Sequence, residues 1–263
     1  MDLELKDKVA LVTGGSRGIG RATALMLAEH GTDVAIRGRS IDSLEDTAAA
    51  IRKLGVQCWF YQTDVSQPNE IEQLINCLGE DAKRIDILVN NAVTSTSATF
   101  EQLTDEQFQY HIDVKLMAYI RIARLVLPFM KAQGGGRIVN VGGMTARIVA
   151  PLRMTNGVVN AGVANFTKQF SGYAASSNVT VNCVHPGYTL TERVMQVFER
   201  EAKEIGASVD EVVAQRTGDI PLGKLIDPDD LASAIVFFCS PMARMVTGQC
   251  IAVDGGSGTS IPY

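Results

Sequence analysis

The sequence predicts one α/β domain, a doubly wound sheet of about seven parallel strands with helices on both faces. Apolar, β-branched runs of strand length alternate with segments of helical periodicity, and the strand runs are apolar almost throughout. Such strands are buried on both sides, as in parallel sheets covered by helices. The chain has 263 residues, of which 46% are hydrophobic, and no linker or low-complexity tract divides it. We therefore expect a single domain over residues 1–263.

The predicted elements follow one another in a regular order. The first strand is KVALVTG, a β-branched run that ends at a glycine. The helix after it ends near Gly31, and a helix capped by Ser40 follows the second strand. The remaining predicted strands are DVAIRG, VQCWFYQTD, DILVNN, RIVNVG, VTVNCV and QCIAVDGG, and the later helices cover about residues 67–81, 104–131, 156–177 and 228–240.

Composition excludes several classes of function. The net charge is −5 and the lysines and arginines are scattered, whereas a nucleic-acid-binding protein presents a basic face. No apolar run approaches the ~20 residues of a membrane span. The charged start, MDLELKDK, is unlike a secretory signal, so we expect a cytoplasmic protein. Its cysteines are expected to be reduced, buried and without metal spacing, so no metal site is predicted; they are Cys58, Cys77, Cys183, Cys239 and Cys250.

A glycine-rich loop, TGGSRGIG, joins the first strand to the first helix. Glycines at such a turn let a pyrophosphate approach the backbone, and the N-terminus of the helix then faces the anion. The position between a strand and a helix is the context that supports this interpretation. The loop therefore predicts a Rossmann-type dinucleotide site, with candidate contacts from Gly14, Ser16, Arg17, Gly18, Ile19 and Gly20.

The end of the second strand indicates which dinucleotide is bound. An NAD site places a carboxylate there for the ribose 2′-hydroxyl, but this sequence reads IRGRS, with Arg37 and Arg39. Guanidinium groups offer paired donors to a 2′-phosphate, and Arg17 lies in the adjacent loop. NADP(H) is therefore preferred over NAD(H). Arg37 should point away from Arg39 along the strand, and we expect it to be solvated.

Four further motifs complete a resemblance to the short-chain dehydrogenase/reductase family over nearly the whole chain. TDV, with Asp64 and Val65, resembles the family's adenine-contacting turn, and NNAV, with Asn91, resembles its NNAG motif with valine in place of glycine. VTGQCIAVDGG resembles the family's last strand. HPGYTLT resembles the motif beside the nicotinamide and supplies Pro186, Gly187 and Thr191.

The resemblance implies hydride transfer between a nicotinamide and a carbonyl or alcohol, yet the catalytic positions differ from the family pattern. The family uses a tyrosine acid, a lysine four residues later, a serine that holds the substrate oxygen, and an asparagine on the preceding long helix. Aligned by motif, this sequence has Asn156, Asn160, Gly143 and Lys115 at those positions. An amide does not titrate near neutral pH, so Asn156 cannot be the acid. Asn160 can still bind a ribose but brings no charge, which would weaken cofactor binding.

Two side chains are candidates for replacing the missing groups. Lys115 either points inward, restoring a cation near the nicotinamide ribose, or extends along its helix to water. Tyr188 follows the Pro-Gly motif and should lie near the nicotinamide end. His185 and Tyr173 are expected to be packing residues.

Two classes of function remain open. In one, the protein binds NADP(H) as a sensor or is a very weak reductase of a small carbonyl compound. In the other, it is an enzyme with non-standard chemistry, either a redox-neutral lyase or isomerase, or a hydride-transfer enzyme that uses Lys115 or Tyr188. A helical lid over about residues 191–225 predicts an apolar small-molecule ligand, and apolar outer faces on the long helices predict a homodimer or homotetramer.

Overall fold

The computed structural model describes residues 2–259, which include a seven-stranded parallel sheet. The strand order is β3-β2-β1-β4-β5-β6-β7, so the chain runs outward from β1 in one direction and then crosses to the other. This confirms the predicted doubly wound α/β architecture. The strands are β1 (Val9–Thr13), β2 (Asp33–Gly38), β3 (Cys58–Gln62), β4 (Ile87–Asn90), β5 (Gly136–Val141), β6 (Val179–Pro186) and β7 (Cys250–Val253).

Helices cover both faces of the sheet. Successive residues of β1 belong to different apolar clusters: Val12 packs with Leu27 and Ile235, whereas Leu11 packs with Ile75 and Ile122. Alternate residues of a strand point to opposite faces, so a strand covered on both sides must be apolar throughout. The helices are α1 (Gly18–Glu29), α2 (Ile41–Arg52), α3 (Pro68–Ala82), α4 (Asp105–His111), α5 (Ala118–Ala132), α6 (Met154–Ala174), α7 (Glu192–Ile205), α8 (Val209–Gly218) and α9 (Pro228–Cys239).

The long helix predicted over residues 104–131 is not continuous. A π-helical segment, Ile112–Met117, separates α4 from α5. A π-helical turn carries an extra residue, which rotates the side chains that follow it, and such segments are frequent at functional sites. Lys115 lies within this segment, so the departure from regular α-helix coincides with a candidate functional residue.

The segment over residues 191–225 contains two helices, as the sequence predicts. Thr191 caps α7, and Ser208 caps α8. The apolar side chains of these helices pack around the buried Phe198, with Val194 and Met195 among them. They form a small core of their own, so most of this apolar surface is used for helix packing rather than for a ligand.

The outer face of α6 carries a row of aromatic rings. Phe166, Phe170 and Tyr173 stack in sequence, with ring centroids 5.2 and 6.3 Å apart. Tyr173 is 66% exposed, so it packs on Phe170 at the surface rather than in the interior of the chain. Over residues 2–259, the structure has no helix that is both long and apolar enough to cross a membrane.

The expectation of five buried cysteines is wrong at two positions. Cys77 lies on the outer side of α3 and is exposed, and Cys250 is only partly buried at the start of β7. Apolar neighbours in sequence misled the prediction because a helix that packs with one face leaves other residues of the same segment in water. All five cysteines are free thiols.

Candidate active site

The glycine loop adopts a conformation that favours glycine. Gly14 and Gly18 have φ values of +66° and +52°. A Cβ atom on Gly20 would lie 2.1 Å from the carbonyl oxygen of Gly14, so this close approach requires a glycine. The Asn91 side chain donates to the carbonyl oxygens of Thr13 (3.1 Å) and Gly14 (3.2 Å). Asn91 therefore stabilises the loop, which is a structural role in addition to the cofactor contact that the family resemblance implies.

The N-terminus of α1 faces a pocket at the carboxyl end of the sheet. No side chain caps this terminus, and its first turn has no acidic residue, so its amide groups and the positive end of the helix dipole remain available to an anion. Six of the predicted cofactor residues line the pocket together with Gly38, Ser40, Ala92 and Tyr110; they are Gly14, Ser16, Arg17, Arg39, Asp64 and Val65.

The other predicted cofactor residues are distributed differently. Thr191 lines a neighbouring pocket at the start of the lid with Leu190 and Met195. Gly187 packs so closely on Asp254 that a Cβ atom there would lie 2.7 Å from the Asp254 Cα. The remaining predicted contacts line neither pocket; they are Gly18, Ile19, Gly20, Asn91, Asn160 and Pro186.

Arg37 is buried rather than solvated, which corrects the expectation. It also lines the pocket, and its Nη1 donates to the carbonyl oxygen of Thr63 at 3.1 Å. Burial lowers the pKa of Arg37 to about 10, although the nearby Asp64 carboxylate opposes this effect. Because β2 is covered on both faces, its side chains cannot alternate into water. Arg37 therefore adds a fixed positive charge to the floor of the pocket.

Lys115 points inward, so the alternative in which it extends to water is wrong. Its side chain is buried, and Nζ donates to the carbonyl oxygen of Gly142 at 2.8 Å. Burial lowers the pKa of Lys115 to about 7, and the Arg193 guanidinium contributes in the same direction. A lysine with this pKa can both hold and release a proton near neutral pH.

The residues at the family's serine and lysine positions, Gly143 and Asn160, meet next to the hydrogen bond between Lys115 and Gly142, whereas Asn156, at the tyrosine position, contacts the loop after β4. A Cβ atom on Gly143 would lie 2.5 Å from Nδ2 of Asn160. Nδ2 of Asn160 donates to Oγ1 of Thr145 at 2.8 Å, whereas its buried Oδ1 has no hydrogen-bond partner among residues 2–259. The Asn156 side chain donates to the carbonyl oxygen of Thr94 at 3.4 Å and thereby attaches α6 to the loop that follows β4.

Tyr188 lies against the lid rather than against this group of residues. Its ring is 6.0 Å from the ring of Phe198, and the Arg216 guanidinium lies 5.9 Å from its centroid. These contacts do not place Tyr188 beside Gly143, as a substitute acid would require. The structure gives no contact that joins it to Lys115 or Asn160.

His185 does more than pack. Its Nδ1 accepts a hydrogen bond from the backbone N–H of Gly143 at 2.9 Å, so a neutral ring carries its proton on Nε2. That Nε2 lies 4.0 Å from Sγ of Cys183. Tyr119, which the sequence did not single out, lies with its hydroxyl 3.1 Å from the carbonyl oxygens of both Ala92 and Val141 and joins the ends of β4 and β5.

Cys183, His185 and Cys250 form a cluster that the sequence spacing could not reveal. Their candidate ligand atoms lie within 4.8 Å of one another, a separation that would suit a metal ion. The tautomer opposes this use, because a metal-binding histidine usually donates its other N–H to an acceptor, whereas Nδ1 here accepts one. The cluster is better described as two thiols facing an imidazole N–H.

A comparison with protein families decides the ancestry. A family model described as enoyl-(acyl carrier protein) reductase matches residues 14–258. The chain belongs to the short-chain dehydrogenase/reductase family. Among curated relatives, the 3-oxoacyl-[acyl-carrier-protein] reductase of Vibrio harveyi is 34% identical over 255 residues, which are 97% of this chain and 98% of the relative. The 3alpha-hydroxysteroid dehydrogenase of Mediterraneibacter gnavus is 31% identical over 98% of this chain and 99% of its own.

Solved structures of family members superpose closely on this short-chain dehydrogenase/reductase. The L-sorbose reductase of Gluconobacter frateurii, complexed with NADPH and L-sorbose, matches with a TM-score of 0.96 and 30% identity over 99% of this chain and all of that one. YwfH, an NADPH-dependent reductase involved in bacilysin biosynthesis, matches with a TM-score of 0.92 and 29% identity over 97% of this chain and 99% of its own. The chain is thus an oxidoreductase-family protein with the fold of a nicotinamide-binding enzyme.

Proposed function

We propose that this chain is an NADP(H)-dependent reductase of a small carbonyl compound, in which Lys115 supplies the proton. The observation that carries the proposal is the buried hydrogen bond from Nζ of Lys115 to the carbonyl oxygen of Gly142. It places a titrating cation beside Gly143, the position where the family has its substrate-holding serine. This interpretation develops the alternative in which Lys115 replaces the usual acid.

Several features of the pocket fit an NADP(H) molecule. Gly14, Gly18 and Gly20 let the loop fold closely against Asn91, Thr191 and its own backbone, and the uncapped N-terminus of α1 that follows it is free to bind a pyrophosphate. Arg17 and Arg39 line the same pocket and offer paired donors to a 2′-phosphate. The Oδ1 of Asn160, which has no hydrogen-bond partner in the described part of the chain, is an acceptor that a ribose hydroxyl can satisfy. Because Asn160 lacks the charge of the family's lysine, we expect weaker cofactor binding than in the relatives.

The chemistry follows from the charge of Lys115. A bound nicotinamide would supply or accept the hydride. The ammonium group of Lys115 stabilises negative charge that develops on a substrate oxygen and delivers a proton to it through one water molecule, since Nζ is enclosed beneath Gly143. With a pKa of about 7, Lys115 is charged below neutral pH and neutral above it. Reduction should therefore slow as the pH rises through 7, and alcohol oxidation should accelerate.

The test is steady-state oxidation of NADPH with a panel of small ketones, between pH 5.5 and 9, for the wild type and two variants. Lys115→Met should lower turnover by about a hundredfold, the usual contribution of one positioned acid, and remove the inflection near pH 7. Lys115→Arg keeps the charge but does not titrate in this range, so it should show a flat profile. NADPH binding, followed by nicotinamide fluorescence, should change little. Unchanged turnover of Lys115→Met would contradict the proposal.

The second candidate is a sensor that binds NADP(H) without turnover. Asn156 favours it, because the amide has no acid function and is engaged with Thr94. In this case titration would show micromolar NADPH binding, while no ketone in the panel would accelerate NADPH oxidation at any pH.

Substrate, assembly and location are also proposals. Leu190 and Leu222 are exposed apolar residues in the lid segment, which favours a partly apolar substrate. The aromatic row on α6 favours a homodimer or homotetramer, so Tyr173→Glu should lower the mass measured by light scattering. We place the protein in the cytoplasm, where free cysteines stay reduced.

A further inference from the structure

Two cysteines lie side by side on neighbouring strands beneath the candidate active site. Cys183 of β6 and Cys250 of β7 are paired residues in the parallel register. Neighbouring strands are about 4.8 Å apart, which falls within the 4.4–6.8 Å between Cα atoms that disulfides span. The two sulfur atoms and a ring nitrogen of His185 all lie within 4.8 Å of one another. The strand register therefore holds the two cysteines at a separation that a disulfide can span.

The two thiols differ in access. Cys183 is completely buried, whereas Cys250 begins β7 and is partly open to solvent. A guanidinium group also lies at Cys250, because Nη2 of Arg147 donates to its carbonyl oxygen. A solvent-borne reagent therefore reaches Cys250 first, and Cys183 only after that.

The surrounding groups stabilise a thiolate on Cys250. A hydrogen bond between the two thiols lowers the pKa of Cys250 and raises the pKa of Cys183. The His185 ring and Arg147 lower the pKa of Cys250 further, whereas its partial burial raises it. The Gly143 N–H fixes the required tautomer, because Nδ1 of His185 accepts from it and Nε2–H is left to face the sulfur atoms. Lys115 adds positive charge on the Cys183 side.

We propose that Cys250 is a peroxide-reactive thiolate and that Cys183 is its resolving thiol. In the first step the Cys250 sulfur attacks hydrogen peroxide: an S–O bond forms, the O–O bond breaks, and hydroxide leaves. The sulfur is oxidised to a sulfenic acid while the peroxide is reduced. In the second step the Cys183 sulfur attacks the sulfenic sulfur, an S–S bond forms, and the departing oxygen leaves as water with the thiol proton.

The disulfide would lie directly against the candidate active site. A Cβ atom on Gly142 would be 3.0 Å from Sγ of Cys183, and the carbonyl oxygen of Gly142 accepts from Lys115. Oxidation would also remove the thiolate that faces Nε2–H of His185. The reaction itself requires neither a bound cofactor nor a carbonyl substrate, so it is independent of the proposed reductase activity.

The first measurement is the pH dependence of alkylation by iodoacetamide in the full chain, followed by peptide mapping. Between pH 6 and 8 an ordinary thiol with pKa near 8.5 gains reactivity by roughly 75-fold, because its thiolate fraction rises. The rate at Cys250 should change less than about threefold, since it is already a thiolate. The exposed Cys77 is the internal comparison. Parallel rises at Cys77 and Cys250 would overturn the proposal.

The second measurement is oxidation of the reduced protein with hydrogen peroxide, followed by intact mass and differential alkylation. The wild type should lose the mass of two hydrogen atoms, protect only Cys183 and Cys250 from alkylation, and regain both thiols with dithiothreitol. C183S should stop at a sulfenic acid that dimedone captures on Cys250. C250S should form no disulfide, while C77S should behave as the wild type. A dimedone adduct on Cys77 instead, or one zinc ion per chain that shields both thiols, would overturn the assignment.

Discussion

Nζ of Lys115 donates to the carbonyl oxygen of Gly142 in a buried hydrogen bond of 2.8 Å. The bond joins a π-helical segment to the carboxyl end of β5, the point where the family holds its substrate. The ammonium has three donors, and the structure pairs one of them with a described residue. A cation that is buried with so few partners costs stability, which is expected where a residue serves a reaction rather than the fold.

Replacing Lys115 by methionine should stabilise the protein at neutral pH. The folded-state pKa of about 7 lies below the unfolded value near 10.4, so the unfolded chain binds more protons between these values. The cost of burial is full below pH 7 and is lost as the pH rises towards 10.4. The advantage of Lys115→Met in urea unfolding should be on the order of a few kcal/mol at pH 7 and should shrink by pH 9.

The control for this experiment is Lys53→Met, at an exposed position at the end of α2. It should give the same free-energy difference from the wild type at every pH. A Lys115→Met advantage that does not vary between pH 7 and 9 would show that the lysine is not buried with a lowered pKa.

Arg39→Ala should change the choice of cofactor. The side chain lines the pocket with Ser16 and Ser40, and the proposed NADP(H) binding would place its 2′-phosphate there. Hydrogen bonds to charged groups contribute about 1.5–3 kcal/mol, so the Kd for NADPH should rise roughly 10- to 100-fold while the Kd for NADH stays nearly constant. Calorimetric titration with both reduced cofactors measures this. Arg200→Ala, on the exposed side of α7, should leave both affinities unchanged.

Gly20→Ala should disrupt the glycine loop. The added methyl group would lie 2.1 Å from the carbonyl oxygen of Gly14 and 2.5 Å from the Asn91 amide, so the backbone must move. We expect a destabilisation of about 1–3 kcal/mol and loss of measurable NADPH binding. Gly172→Ala is the matched control, because a Cβ atom at this position in α6 meets open space. It should stabilise the protein by roughly 0.5–1 kcal/mol.

The sequence predicted the sheet and the helices because their signals are local. Strand runs, glycine stops and the cap at Ser40 each depend on a few neighbouring residues. What it missed depends on contacts between distant segments. The burial of Arg37 follows from the layers over β2, and the meeting of Cys183 with Cys250 follows from the register of β6 and β7.

At the candidate site, too, local features were predictable from the sequence and contacts between distant segments were not. The glycine loop was predictable because its residues are contiguous, and six predicted contacts do line one pocket. The direction of the Lys115 side chain was not predictable. A π-helical segment has no distinctive composition, and its extra residue alters where the side chain points. Tyr188 was placed by its distance along the chain from Pro186, but the lid core around Phe198 holds its ring.

Gly143 and Asn160 should behave as a coupled pair. A Cβ atom on Gly143 would lie 2.5 Å from Nδ2 of Asn160, so Gly143→Ala should cost about 1–3 kcal/mol by overpacking. Asn160→Ala should cost about 0.5–1.5 kcal/mol, because it removes the hydrogen bond to Thr145. In the double variant the new methyl group occupies space that the amide has vacated, so the combined loss should be smaller than the sum by at least about 0.5 kcal/mol.

Urea unfolding of the wild type, the two single variants and the double variant measures this coupling. If the two single losses in the free energy of unfolding are strictly additive, the loop at Gly143 accommodates the new side chain without contacting Asn160. A combined loss of stability smaller than the sum of the two single losses would mean that a side chain at position 143 is not accommodated while Asn160 occupies the lysine position. Restoring the family's serine by Gly143→Ser alone should then destabilise the protein without raising turnover, because the two departures from the family pattern accommodate each other.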